Sequence, residues 1–308
     1  MIRIGTDCSG IEAPIQALQN LNIPFSHEFS SDIDKYCIQS IKANYEPKIL
    51  FGDPDGAFPD GDITKRNVQD IPDIDMYICG FPCQPFSTAG LRNGFEHKSG
   101  NVFWSCLDVI RVKKPKYFIL ENVKGLLSND KGKTWATILS ELNTLEGYTV
   151  DWKILNTKDY GIPQHRPRLF IVGTKESFEW PEKSKVCKPL ADFVDNHSTE
   201  THTLTMRHEN YIKKLNDNAV FVDFGFASFD MKKKHLNSMY TVYSPCIVRE
   251  NRMWCVPNHR RATCGELLAL QGFPEQFIQV VSDSQIKKQA GNSMSVNVIE
   301  KIIKNLVD

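Results

Sequence analysis

Gly80-Phe81-Pro82-Cys83-Gln84-Pro85-Phe86-Ser87 follows the apolar run Tyr77-Ile78-Cys79, so a cysteine falls in a proline-stiffened turn where a buried strand would end. Pro82 and Pro85 fix φ on either side of the thiol, and ligands collect at the carboxyl ends of strands in open α/β sheets. A nucleophile belongs there. Downstream, Tyr117-Phe118-Ile119-Leu120 reads as another buried strand and runs at once into Glu121-Asn122-Val123. If the two strands are neighbours, the Cys83 thiol and the Glu121 carboxyl face one crevice, a nucleophile beside a proton-exchanging group.

A second cluster sits at the start of the chain. Asp7-Cys8-Ser9-Gly10-Ile11-Glu12-Ala13-Pro14 follows the first expected strand and opens the first expected helix. Gly10 lets backbone approach a ligand closely, and a helix N-terminus presents unpaired amides. The pattern is not Gly-x-Gly-x-x-Gly, the pyrophosphate fingerprint, and Glu12 is expected to repel a diphosphate. Asp32 ends the second strand, from where a carboxylate can accept both hydroxyls of a ribose. Asp62, in Gly61-Asp62-Ile63-Thr64, falls in the stretch between the second and third expected strands. Together these residues favour an adenosyl ligand without a diphosphate.

The elements that must position these groups alternate in the first half. Residues 2–6, 25–31, 76–79, 117–120 and 169–173 read as strands. Residues 12–20, 34–44, 102–112 and 134–145 carry apolar side chains at helical spacing. Such alternation predicts a Rossmann-like α/β core, a mostly parallel sheet with helices on both faces. After Trp180-Pro181 the alternation decays as far as Pro257, which predicts a second, smaller domain or a long insertion. Helical pattern returns at 264–271, with Thr263 as N-cap and Gly272 as terminator, and a last amphipathic helix spans about 295–306.

At 308 residues, one large domain plus a smaller one is expected. With 41% hydrophobic and 24% charged residues, the chain has the composition of a globular protein without a membrane partner. No apolar stretch approaches the ~20 residues that span a bilayer. Met1-Ile2-Arg3-Ile4-Gly5 is unlike a signal peptide, so a cytoplasmic location is expected. The nine cysteines stand singly, without Cys-x-x-Cys pairs or regular histidine spacing, which supports neither a metal site nor a disulfide framework. Cys37, Cys79, Cys106 and Cys264 read as small core residues. Formal charge is zero, 37 basic against 37 acidic, so a nucleic-acid partner would need a local basic surface. Lys232-Lys233-Lys234, Arg249, Arg252, Arg260 and Arg261 are the candidates, although a lysine run is more often a solvated face.

In order, the Pro-Cys-Gln turn, Glu121-Asn122-Val123, the run from Tyr160 to Arg168, Arg260 to Pro274 and Gln289-Ala290-Gly291-Asn292-Ser293 resemble the motifs of the cytosine-C5 DNA methyltransferases. These are S-adenosylmethionine-dependent enzymes typical of bacteria and their phages. The resemblance covers about residues 1 to 178 and 257 to 308, which it implies form one catalytic domain. Residues 179–256 correspond to the family's variable target-recognition domain. At Cys8, Glu12 and Ala13 the chain departs from the family, where a phenylalanine and further glycines are common. Ser244-Pro245-Cys246-Ile247 echoes a Ser-Pro-Thr-Leu segment of recognition domains.

The resemblance implies transfer of a methyl group from S-adenosyl-L-methionine, leaving S-adenosyl-L-homocysteine, to carbon 5 of cytosine in a specific sequence of double-stranded DNA. Carbon 5 is a poor nucleophile, so a thiolate must first add at carbon 6. That role falls to Cys83. Glu121 would engage ring nitrogen 3, which calls for a carboxyl kept protonated by burial. Arg166 and Arg168 would contact the target cytosine and position the catalytic loop, and Gln164 completes the catalytic set. Cofactor contacts are implied at Asp7, Cys8, Ser9, Gly10, Ile11 and Glu12, at Asp32 and Ile33, at Asp62 and Ile63, and at Gly80 and Pro82. Val102 adds an apolar contact. Asn292 and Ser293 would reach the site from the chain's far end, on a final helix packed beside the first strand. Residues 84–101 would form a loop closing over the base, with Gly90, Gly94 and Gly100 as hinges and Ser87 near the DNA backbone. A monomer is expected, with any cognate restriction endonuclease acting separately.

Three other readings compete. A tRNA substrate would go with a Cys-Phe-Thr tripeptide, which the chain lacks. A catalytically silent DNA-binding relative would not need Cys83, Glu121, Gln164 and Arg168 together. A dinucleotide oxidoreductase would require the missing glycine fingerprint.

Overall fold

The computed structural model describes residues 1–82, 102–200, 202–215, 218–225, 241–250 and 252–307. They form two compact units. The first comprises Met1–Leu155, Pro167–Pro181 and Ile299–Asp308, and the second Asn156–Arg166 and Glu182–Val298. The second unit thus holds residues 257–298 as well as the stretch expected to be variable.

The first unit alternates strands and helices: β1 (Ile2–Asp7), α1 (Ala13–Asn20), β2 (Phe25–Ser31), α2 (Lys35–Asn44), β3 (Ile49–Phe51), β4 (Met76–Cys79), α3 (Val102–Lys113), β5 (Tyr117–Val123), α4 (Lys133–Leu142), β6 (Thr149–Asn156) and β7 (Pro167–Thr174). The strands make one sheet in the order β3-β2-β1-β4-β5-β7-β6. β1 to β5 pair in parallel, whereas β7 runs antiparallel to β5. This is the expected α/β, Rossmann-like sheet. β3 and β6 were not among the strands read from the sequence. β3 has only three residues, and β6 is an edge strand in which only Leu155 is buried.

Burial explains why these segments take these forms. All four residues of β4 are buried, as suits a strand covered on both faces. In α3, Phe103, Cys106, Leu107 and Ile110 recur at helical spacing and are buried. Phe81 packs on Phe103 with ring centroids 5.6 Å apart, which ties the turn after β4 to α3. In α2, the Asp34 side chain accepts from the Tyr36 amide, an N-cap at the start of the helix. Cys37, Cys79, Cys106 and Cys264 are all buried, as their surroundings predicted.

The second unit contains α5 (Met206–Ile212), β8 (Phe221–Asp223), β9 (Met253–Cys255), β10 (Arg260–Arg261), α6 (Cys264–Gln271) and α7 (Asp283–Asn292). The three strands form an antiparallel sheet in the order β10-β9-β8. α6 begins at the expected Thr263, in a capping box with Glu266, and ends at Gly272 with φ 92°. Glu266 also receives both terminal nitrogens of Arg260, at 2.7 and 2.9 Å. Arg260 is fully buried, which removes it from the basic-surface candidates.

The last helix, α8 (Val296–Val307), starts in the second unit, and its residues from 299 onward belong to the first. There Asn20 of α1 donates to Glu300, so the chain's last helix returns to the helix that follows β1. Contrary to expectation, Asn292 is not on that last helix: it closes the preceding one, α7.

Candidate active site

The sheet changes direction between β1 and β4. From β1 the chain moves outward through β2 and β3, and from β4 it moves the other way to β5. In such sheets the carboxyl ends beside the reversal leave a crevice between diverging loops. Asp7, last in β1, pairs with Cys79, last in β4, so the Cys8–Glu12 turn and the Gly80–Pro82 turn leave the sheet at one level.

The first turn is held in an uncommon shape. Cys8, Gly10 and Glu12 have φ of 49°, 58° and 59°, all left-handed. Such a conformation costs a non-glycine residue on the order of 1 kcal/mol or more. At Glu12 hydrogen bonds offset this cost: Thr6 and Ser30 hydroxyls both donate to Oε1 at 2.5 Å. Glu12 is 0% exposed. It therefore does not face a ligand, and the expectation that its charge repels a diphosphate is corrected. Burial raises the Glu12 pKa to about 7 against the opposing hydrogen bonds. Burial also lowers that of His27, whose Nε2 lies 2.7 Å from the Ser30 hydroxyl, to about 4.

Asp7 is likewise turned inward. Arg66 grips its carboxylate with two bonds of 2.8 and 2.6 Å, and the Tyr77 hydroxyl donates to it at 2.7 Å. The guanidinium itself lies against the Phe29 and Phe51 rings, 5.3 and 4.6 Å from their centroids. Asp7 thereby anchors the turn. Nothing in the sequence marked Arg66 or Tyr77 for this task, because their partnership is purely spatial.

The residues left to meet a ligand surround Gly10. A Cβ built on Gly10 would meet nothing within 4 Å, so open space lies beside its backbone. Its amide donates to Asp32 Oδ2 at 2.8 Å, while the Asp34 amide donates to Oδ1 at 2.8 Å. Asp32 is held from behind too: a Cβ on Gly52 or Gly61 would come within 2.4 and 2.0 Å of its carbonyl oxygen. Burial lifts the Asp32 pKa to about 6 against these amide bonds. Ile33, next along, is 76% exposed, an apolar surface beside the carboxylate. Ser9 binds the Thr6 carbonyl and the Ser31 amide. Ile11 and Ile63 are buried, and Asp62 caps a turn by accepting from Thr64. Cys8 and Val102 are partly buried against the main core, and Pro82 is exposed.

At β5 the expected neighbours are indeed paired. Cys79 is level with Leu120, so Glu121 begins where β4 has ended. Glu121 Oε1 lies 3.3 Å from Arg168 Nε, across the antiparallel pairing in which Val123 faces Arg168. The adjacent Asn122 points its amide the other way and donates to the Phe81 carbonyl at 2.8 Å. That bond fixes the backbone two residues ahead of Cys83. Cys83 itself, with the loop at 84–101, lies outside the described residues, as does Lys232-Lys233-Lys234.

Gln164 and Arg166 are clamps within the second unit. Gln164, 0% exposed, donates to the Leu270 carbonyl at 2.7 Å and accepts from the Ile247 amide at 3.1 Å. Arg166 donates to the carbonyls of Ile247, Gly291 and Ser293 at 2.5, 3.0 and 2.6 Å. Residues 244–247 are thereby joined to the 163–166 run, and Gly291 is required because a Cβ there would come within 2.3 Å of the Val248 backbone. Ser293 is buried in this arrangement, and Asn292 is exposed.

The Glu12 network generates a pH prediction. With a folded pKa near 7 and an ordinary value of 4.5, the folded state holds more protons than the unfolded one between these limits, so Glu12 makes stability fall as pH rises through that window. Urea unfolding at pH 5, 6, 7 and 8 is expected to show a shallower fall for Glu12→Gln than for the unaltered chain. Parallel curves would exclude this assignment.

The C-5 cytosine-specific DNA methylase family pattern matches residues 7–308. The chain is 38% identical over 294 residues to the Type II methyltransferase M.SsoII of Shigella sonnei, covering 91% of this chain and 73% of that protein. It is 36% identical over 287 residues to M.NlaX of Neisseria lactamica, covering 90% and 87%. In fold it resembles the solved Dnmt2 methyltransferase of S. pombe, with a TM-score of 0.67, 18% identity and coverage of 99% and 98%. The chain belongs to the C-5 cytosine-specific DNA methylases.

Proposed function

We propose that this enzyme binds S-adenosyl-L-methionine beside Gly10, Asp32 and Ile33 and methylates carbon 5 of a cytosine swung out of duplex DNA, through a transient bond from Cys83 to carbon 6. What carries the reading is the junction of β4 and β5. There Glu121 meets Arg168, and Asn122 holds the strand exit that leads to Cys83. The open backbone at Gly10, the fixed Asp32 carboxylate and the exposed Ile33 suit a ribose with its adenine. When bound, the cofactor supplies an electrophilic methyl group.

The residues of the chain supply the rest. The Cys83 thiolate adds its electron pair to carbon 6, and Glu121 hydrogen-bonds ring nitrogen 3 as the ring takes up charge, making carbon 5 nucleophilic. After methylation, loss of the carbon 5 proton to a base expels the thiolate and restores the aromatic ring. Arg168 holds Glu121 in place. Gln164 and Arg166 act as positioning residues, because their polar atoms already bind main chain. Asn292, which closes α7, and the Ser293 that follows it are assigned to cofactor binding. A catalytic part at 1–178 and 257–308 and a recognition part at 179–256 divide the work. The Type II names of the relatives favour a separately acting restriction endonuclease as the enzyme's counterpart, and a monomer is sufficient for the chemistry.

Two variants test the reading with labelled S-adenosylmethionine and mixed-sequence duplex DNA. Cys83→Ser is expected to abolish methyl transfer while cofactor binding, measured by calorimetry, is kept. Retained transfer would refute the nucleophile. Asn122→Ala frees the turn ahead of Cys83, and turnover is expected to fall on the order of 10²-fold with cofactor affinity unchanged. Turnover equal to that of the unaltered enzyme would remove Asn122 from the positioning machinery.

A further inference from the structure

Within the second unit, a cavity of about 500 Å³ is ringed by Arg249, Arg252, Arg261 and Lys287. Glu250 is the one acidic residue in its lining. Counting four cations against one anion gives a local excess of three positive charges in a chain whose formal charge is zero. None of the four cations forms an ion pair with the acidic groups of the described residues within 4.0 Å. Unneutralised guanidinium groups gathered on one concave surface repel one another unless an anion joins them.

Strands β9 and β10 frame two of them. Arg252 directly precedes β9, and Arg261 ends β10 beside it. The lining also holds the rings of His208, Phe224 and Trp254, the last two belonging to a small hydrophobic core. His208 stacks on Phe224 with centroids 4.1 Å apart and planes inclined by 10°, and Phe224 meets Trp254 at 5.6 Å. These rings are already packed on one another, which leaves the charged rim as the part that meets a ligand. Lys287 comes from α7, the helix that ends at Asn292. One element therefore joins the basic rim to a residue assigned to the cofactor.

We infer that this cavity seats the phosphodiester backbone of the substrate DNA, with Arg249, Arg252, Arg261 and Lys287 neutralising phosphates independently of base sequence. The inference rests on the proposed methylation of duplex DNA and assigns part of its grip. Guanidinium groups suit the task because each offers several donors in a fixed plane to phosphate oxygens. Neutralising phosphates releases condensed counterions, so the seat contributes affinity that weakens steeply with salt.

The test is the salt dependence of binding to fluorescent duplexes with and without the methylated site, for the unaltered enzyme, for Arg252→Gln alone and for Arg249→Gln/Arg252→Gln/Arg261→Gln. All three side chains are exposed, and thermal melting confirms that each variant folds. The triple variant is expected to lower the magnitude of the log–log salt slope by about 1 or more. It should weaken both duplexes by the same factor, leaving the sites mapped by bisulfite sequencing unchanged. Arg252→Gln alone should move in the same direction. An unchanged slope, or a loss confined to the target duplex with relaxed site choice, overturns the phosphate seat while methylation by the unaltered enzyme keeps the functional reading intact. An unaltered enzyme that methylates no duplex overturns both.

Discussion

The register between β4 and β5 is the constraint on which the site depends. Parallel pairing sets Cys79 level with Leu120, so the longer strand carries Glu121 and Asn122 past the point where the shorter one turns away. Side chains alternate along a strand, which lets Glu121 and Asn122 serve opposite sides: one toward Arg168, the other toward the Phe81 carbonyl. A slip of one residue would exchange these roles. The buried runs Met76–Cys79 and Phe118–Leu120 make such a slip costly, since both strands lie within the main core. The placement of Glu121 and Asn122 is a consequence of core packing.

The same logic governs the turn after β1. Three left-handed residues in five would be an unstable loop in isolation, yet Asp7 below it is locked by Arg66 and Tyr77 and Glu12 above it by Thr6 and Ser30. Gly10 is the position in this loop without a side chain, and open space lies beside it. In the second unit a comparable task falls to Arg166. It gathers three carbonyl groups from segments distant in sequence, a convergence that only a side chain with several donors can satisfy.

Much of this was legible in the sequence, because the signals were local. Apolar runs ended by glycine and proline gave β4 and its turn, a threonine three residues before a glutamate gave the start of α6, and the motif order gave the family. What could not be read was the direction in which polar side chains point. Asp7, Glu12, Gln164 and Arg166 have the residue types of a binding site, yet each turns inward to neighbours remote in sequence. Arg260 looked like a surface cation and is buried on Glu266. Arg66 carried no motif at all. Edge strand β6 alternates polar Thr149, Asp151 and Lys153 with apolar Val150, Trp152 and Ile154, and so lacks the continuous apolar run that marks the buried strands.

Covalent capture addresses the central claim most directly. Duplex DNA carrying 5-fluorocytosine at the methylated position blocks the final proton loss, so the bond from enzyme to carbon 6 should persist. After incubation with S-adenosylmethionine and digestion, mass spectrometry is expected to find the methylated fluoropyrimidine on the peptide containing Cys83. An adduct on any other residue, or turnover of unmodified DNA without an adduct on the fluorinated strand, would contradict the account.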